Sequence, residues 1–140
     1  MANKINNKSV LENILGDSSA SGLYELSKDL ELPFIKSLAA NKGFKFLFFD
    51  GTLIQNRDDF THVAGPLIEC PYGADGLNEF LDCLRDLEWF TEDGFVILFK
   101  DSQILQQAVP DDFEMVRDDL EMAASDWKRA GPKPMYIFLQ

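Results

Sequence analysis

Asp50, Gly51 and Thr52 close an apolar run, Phe46-Leu47-Phe48-Phe49, and that order of residues raises the possibility of phosphoryl transfer. Such chemistry uses a strand ending in Asp-x-Asp-Gly-Thr, whose first carboxylate attacks phosphorus and becomes an aspartyl-phosphate. Asp50 fills the second Asp, but the nucleophile's place holds Phe48. A benzyl side chain cannot form the intermediate. A phosphoryl-transfer enzyme built on Asp50 is therefore the weakest reading, and the chain is not expected to be an enzyme.

Carboxylates offer a second kind of chemistry. Across Leu77 to Leu87, at about 100° per residue, Leu77, Phe80, Leu81, Leu84 and Leu87 form one apolar stripe. Glu79, Asp82 and Asp86 gather on the opposite side, with Asn78 beside them. Like charges so spaced weaken a helix by about 0.2–0.5 kcal/mol per pair. Asp86 also stands at the negative end of the helix dipole. Ahead lies the loop Cys70-Pro71-Tyr72-Gly73-Ala74-Asp75-Gly76. Its glycines let backbone come close to a partner, and Tyr72 offers a flat amphipathic contact. Glycosidase carboxylates work in deep sugar clefts, which a convex helix face does not make. Magnesium on Asp82 and Asp86 would want a phosphate loop, and no such motif occurs. A protruding acidic helix is better suited to entering a basic cleft on another protein, and the plain alternative is a solvated face.

His62, Cys70 and Cys83 are too few for a structural zinc site. The two cysteines are not expected to form a disulfide framework. A Cys83–His62 catalytic pair stays open, but Cys83 lies in a helical pattern and reads as a small buried hydrophobe. No metal or cofactor is expected.

The charge balance agrees with a protein partner. There are 24 acids and 13 bases among 140 residues, a formal net charge of −11. Such a chain repels nucleic-acid phosphates and attracts a basic protein, although acidity also serves solubility. With 46% apolar residues and 12 Phe, the chain can bury a single core. No apolar run approaches the ~20 residues of a membrane span. The polar start, Met1 to Val10, has no secretory apolar region. A cytoplasmic protein without membrane contact is expected.

Around the site, the pattern alternates strands and helices. Residues 1–21 read as an appendage, with Ser9 and Glu12 at capping-box spacing and Gly16–Gly22 as a flexible link; residues 22–140 form the domain. Strands are predicted at Leu23–Leu26, Phe44–Phe49 (apolar on both faces), Gly94–Phe99 and Met135–Leu139. Helices are predicted at Asp29–Asn41, Arg57–Ile68 with a kink or break at Pro66, Leu77–Leu87 and Pro110–Ala130. This order implies an α/β fold, a small parallel sheet covered by helices. Trp127 falls on the apolar stripe of the long helix and is assigned to the core, whereas Trp89 fits core or rim.

The stretch PYGADGLNEFLDCLRDL, followed by GFVILF, a long helix and YIFL, resembles the barstar family. The likeness runs from Gly43 to Gln140 and is tightest at Tyr72-Gly73, Leu77 and Asp82-Cys83-Leu84. It implies a barstar-like fold with an extra strand and helix in front. It also implies an intracellular inhibitor of a basic, secreted barnase-type ribonuclease, whose active site is plugged by an acidic loop and helix. On that likeness Asp82 stands in for a substrate phosphate and Asp126 adds a contact. The implied surface comprises Tyr72, Gly73, Gly76, Leu77, Asn78, Glu79, Leu81, Asp82, Asp86 and Asp126. Asn78 stands where the family has an Asp, Pro71 where it has an aromatic residue, and the loop carries one more residue before Leu77. An acidic interaction module of the same fold with a non-nuclease partner is the alternative.

Overall fold

The computed structural model describes residues 4–140. Five parallel strands form one sheet in the order β1-β2-β5-β4-β3. They are β1 (Lys4–Ile5), β2 (Gly22–Leu26), β3 (Lys45–Asp50), β4 (Phe95–Lys100) and β5 (Met135–Leu139). The helices are α1 (Lys8–Leu15), α2 (Leu32–Asn41), α3 (Arg57–Leu67), α4 (Leu77–Asp86), α5 (Gln103–Ala108) and α6 (Pro110–Ala130). Among the described residues, no helix is long and apolar enough to cross a membrane.

Parallel pairing requires crossovers, and the crossovers cover both faces. On β4 the side chains alternate, as strand geometry demands. Phe95, Ile97 and Phe99 meet Phe60 of α3, Phe80 of α4 and Val116 of α6 in one core. Val96 and Leu98 meet Leu11 and Leu15 of α1 and Ile35 of α2 in the other. The expected α/β sheet under helices is the observed fold.

Three local expectations change. Phe44–Phe49 was expected to be buried on both faces, but β3 is an edge strand: Leu47 and Phe49 are buried, while Phe46 and Phe48 are half-buried. Over this edge the helical cover is incomplete, and Phe46 and Phe48 line an open groove with Leu32 and Lys36 of α2. The chain is not interrupted at Gly65-Pro66; α3 runs one residue past Pro66 and stops at Leu67. In α1 the cap is Asn7, which accepts from the Val10 N–H at 2.8 Å, in place of the expected Ser9–Glu12 box. The short α5 was not foreseen.

Of the segment before Gly22, residues 4–21 are described, and they pack on the sheet. Ile5 pairs with Leu26, and Leu11 and Leu15 are buried. In place of a bare link, a 3-10 turn spans Ser18–Ala20. The buried Tyr136 hydroxyl donates to the Asp17 carbonyl at 2.7 Å, and the Met135 N–H donates to Ser21 Oγ at 3.1 Å.

Candidate partner-binding surface

The amphipathic reading of α4 holds. Phe80, Cys83, Leu84 and Leu87 are buried, Leu77 and Leu81 are half-buried against the same core, and Asn78, Glu79 and Asp82 are exposed. Two indole N–H groups fix what surrounds the helix. Trp127 Nε1 on α6 donates to the Leu84 carbonyl at 2.9 Å, tying α6 to α4. Trp89 Nε1 donates to the Ile68 carbonyl at 2.8 Å, tying the segment after α4 to the end of α3. Trp127 is core, as expected, and Trp89 is a half-buried brace.

The loop from Cys70 to Gly76 is shaped by backbone and by one cross-link. After α3 the chain turns through Glu69 at φ +51° and later through Gly73 at φ +86°. Only glycine adopts the second without strain. Gly76 starts α4 as its N-cap. The two cysteines, not expected to form a disulfide framework, do form a bridge, Cys70–Cys83, with Cα atoms 5.8 Å apart. That separation lies in the usual range for a bridge, and the fold of the loop over α4 brings it about. Cys83 is therefore both core and cross-link, and no thiol is left for the Cys83–His62 pair.

Tyr72 lies over this site, 61% exposed. Its hydroxyl donates to Asp86 Oδ2 at 3.2 Å, and its ring meets Trp89 edge-on with centroids 6.2 Å apart. Desolvation and the negative charges of Asp86, Asp82 and Glu88 raise its pKa above the ordinary tyrosine value. The bond to Asp86 adds to the shift, because the phenol donates it only when protonated.

Asp126 reaches the same surface from α6, but its carboxylate is occupied. Arg85 Nε lies 2.8 Å from Oδ2, and an Arg129 guanidinium nitrogen lies 2.9 Å from Oδ1. Arg85, missed in the sequence reading, sits within about 60° of Asn78 and Asp82 around the α4 axis. Its position on the exposed face was legible; its partner on α6 was not. Arg85, Asp86 and Asp126 share the wall of an open groove between the ends of α4 and α6. Asp82 and Glu79 are the exposed acids of α4 that make no ion pair among the described residues, and of the two Asp82 lies mid-helix; Asp86 accepts from Tyr72 and Asp126 is clamped.

The Asp50 motif resolves into turn chemistry. Asp50 Oδ1 accepts from the Thr52 N–H at 3.0 Å and from Thr52 Oγ1 at 2.6 Å. A Cβ on Gly51 would collide with the Lys100 carbonyl oxygen, so close approach of backbone explains the glycine.

The barstar (barnase inhibitor) family matches residues 44–140. This chain belongs to the barstar family. The matched region begins at β3 and contains the whole loop and α4, while β1, α1, β2 and α2 precede it. No curated protein shows significant similarity to the chain. In this barstar-family member the loop, α4 and the end of α6 are contiguous, and they bring together the residues expected at the surface.

Proposed function

We propose that this chain inhibits a basic, secreted ribonuclease of barnase type by setting the Cys70–Gly76 loop and the exposed face of α4 into its active-site cleft. The reading is supported by family membership. The observation that carries it is the Asp82 carboxylate, exposed in the middle of α4 with no ion-pair partner among the described residues. A carboxylate so placed accepts charge-assisted, often bidentate bonds from a guanidinium group. It thereby takes the position of a substrate phosphate among the nuclease's cations. The chain acts as a plug and not as a catalyst. The formal net charge of −11 speeds encounter with a basic partner.

The Arg85–Asp126–Arg129 cluster favours a nuclease that differs from barnase at one end of the cleft. Two guanidinium groups hold the Asp126 carboxylate, so it is not free to meet a cation of the partner at that end. A partner that presents no arginine at that end loses no contact by it. Titration of nuclease activity with the chain tests the reading. Stoichiometric inhibition that is lost in Asp82→Ala supports it; binding without inhibition points to an interaction module with another partner.

A further inference from the structure

The Cys70–Cys83 bridge closes a ring around the site. Every candidate contact from Tyr72 to Asp82 lies inside it, and only Asp86 and Asp126 lie outside. Other anchors of the loop are few: Ala74 packs half-buried against the core, and the Tyr72 ring meets Trp89 edge-on. The Gly73 N–H donates to the Cys70 carbonyl at 3.2 Å, within the loop itself. Tyr72 holds Asp86 through an exposed bond. A Cβ built on Gly73 would meet nothing within 4 Å, so Gly73 itself faces solvent on that side. By contrast, α4 is seated independently, by buried Phe80, Leu84 and Leu87 and by the Trp127 bond to the Leu84 carbonyl.

We propose that the Cys70–Cys83 disulfide is a positioning device for the binding surface, and that its reduction weakens partner binding without unfolding the domain. The inference rests on the inhibitor reading for the identity of the partner. Its physical basis is pre-organisation: a loop already held in its bound shape has less freedom to lose on association. Shortening the ring's accessible conformations is what a cross-link does best.

The chemistry is thiol–disulfide exchange with a dithiol reductant. Cys70 is half-buried and Cys83 fully buried, so the reductant's thiolate attacks Cys70 Sγ. The S–S bond breaks, Cys83 leaves as thiolate and takes a proton, and a mixed disulfide forms on Cys70. The reductant's second thiolate then displaces Cys70, which is protonated in turn. Two electrons and two protons pass to the protein, and the reductant ends as its own disulfide. Cys83 Sγ lies 3.5 Å from the Gly73 carbonyl oxygen, within reach of a thiol donor.

The test compares the full chain oxidised, the same chain reduced with dithiothreitol, and Cys70→Ser, which spares the buried Cys83. Thermal unfolding, calorimetric titration with barnase and amide hydrogen exchange are measured on each. All three forms should unfold cooperatively. The reduced chain and Cys70→Ser should bind about tenfold more weakly or worse, with a less favourable binding entropy. Reoxidation should restore the first and not the second. Equal affinities of the oxidised and reduced chains overturn the proposal, as do two free thiols after oxidation. If no form binds barnase, the inhibitor reading fails for this probe and exchange decides the inference alone. Faster exchange at residues 72–76 on reduction sustains it, and unchanged protection overturns it.

Discussion

Arg85 on α4 and Asp126 on α6 meet with Nε 2.8 Å from Oδ2, and this contact turns an acid of the proposed binding surface back on its own chain. Both side chains are about a third exposed, at 36% and 32%. The pair therefore contributes about 0–1 kcal/mol to stability. Asp126→Ala should change barnase binding little, because the carboxylate it removes was already taken. Arg85→Ala should raise the affinity, chiefly through faster association at low salt. Stopped-flow association at two ionic strengths checks both. A large loss on Asp126→Ala would show that the carboxylate is released to the partner on binding.

Asp82 and Asp86 should separate sharply. Asp82→Ala should cost about 2–5 kcal/mol of binding, a magnitude carried over from the barnase–barstar complex itself, and Asp86→Ala far less. Asp86 is half-buried and already accepts from Tyr72. Asn78→Asp should tighten binding to barnase if the missing acid is the only defect. Calorimetric titration of the four proteins decides; equal, small losses for both alanine variants would mean that α4 is a solvated face.

Residues 22–140 are proposed to fold as a unit, but at a cost. Removing residues 1–21 strips Leu11 and Leu15 from the core they share with Val96 and Tyr136. Burial of each leucine contributes about 1.5–3 kcal/mol. The truncated chain should keep a cooperative thermal transition at a clearly lower midpoint. Loss of the transition would show that residues 22–140 cannot fold without the first segment and refute the boundary at residue 22.

Alkaline pH should destabilise the protein through Tyr136. Burial first, then the charges of Asp17 and Tyr24, raise its hydroxyl from the ordinary value of 10.0 to about 12. A raised folded pKa means that the neutral phenol is favoured by folding. Its contribution is complete below the unfolded value and is lost as pH climbs from there through about 12. Ionisation also removes the donor to the Asp17 carbonyl. Tyr136→Phe should cost about 0.5–1.5 kcal/mol near neutrality and show a flatter fall. Urea unfolding of both proteins at about pH 9 and about pH 11.5 tests this, and parallel falls would exclude Tyr136 as the cause.

Patterns that depend on neighbours along the chain were legible in the sequence. The apolar run Met135–Leu139 is β5 to the residue, and the stripe from Pro110 to Ala130 is α6. Buried strands and amphipathic helices write themselves as periodicity. The exposed acids of α4 followed from the same arithmetic, and membership of the family was visible in Tyr72-Gly73 and Asp82-Cys83-Leu84.

Relations between distant residues were decided only by the tertiary structure. Phe46 and Phe48 look like buried strand residues, but strand order puts β3 at the edge. Leu11 and Leu15 form a stripe too short to declare itself core, and the surface that buries them comes from β4 and β5. Cys70 and Cys83 pair because backbone turns at Glu69 and Gly73 fold the loop over α4. Arg85 reads as one more surface cation until the packing of α6 sets Asp126 beside it. Periodicity records which face of an element is apolar; which partner meets that face, or reaches across it with a charge or a sulfur, depends on how the elements pack in three dimensions.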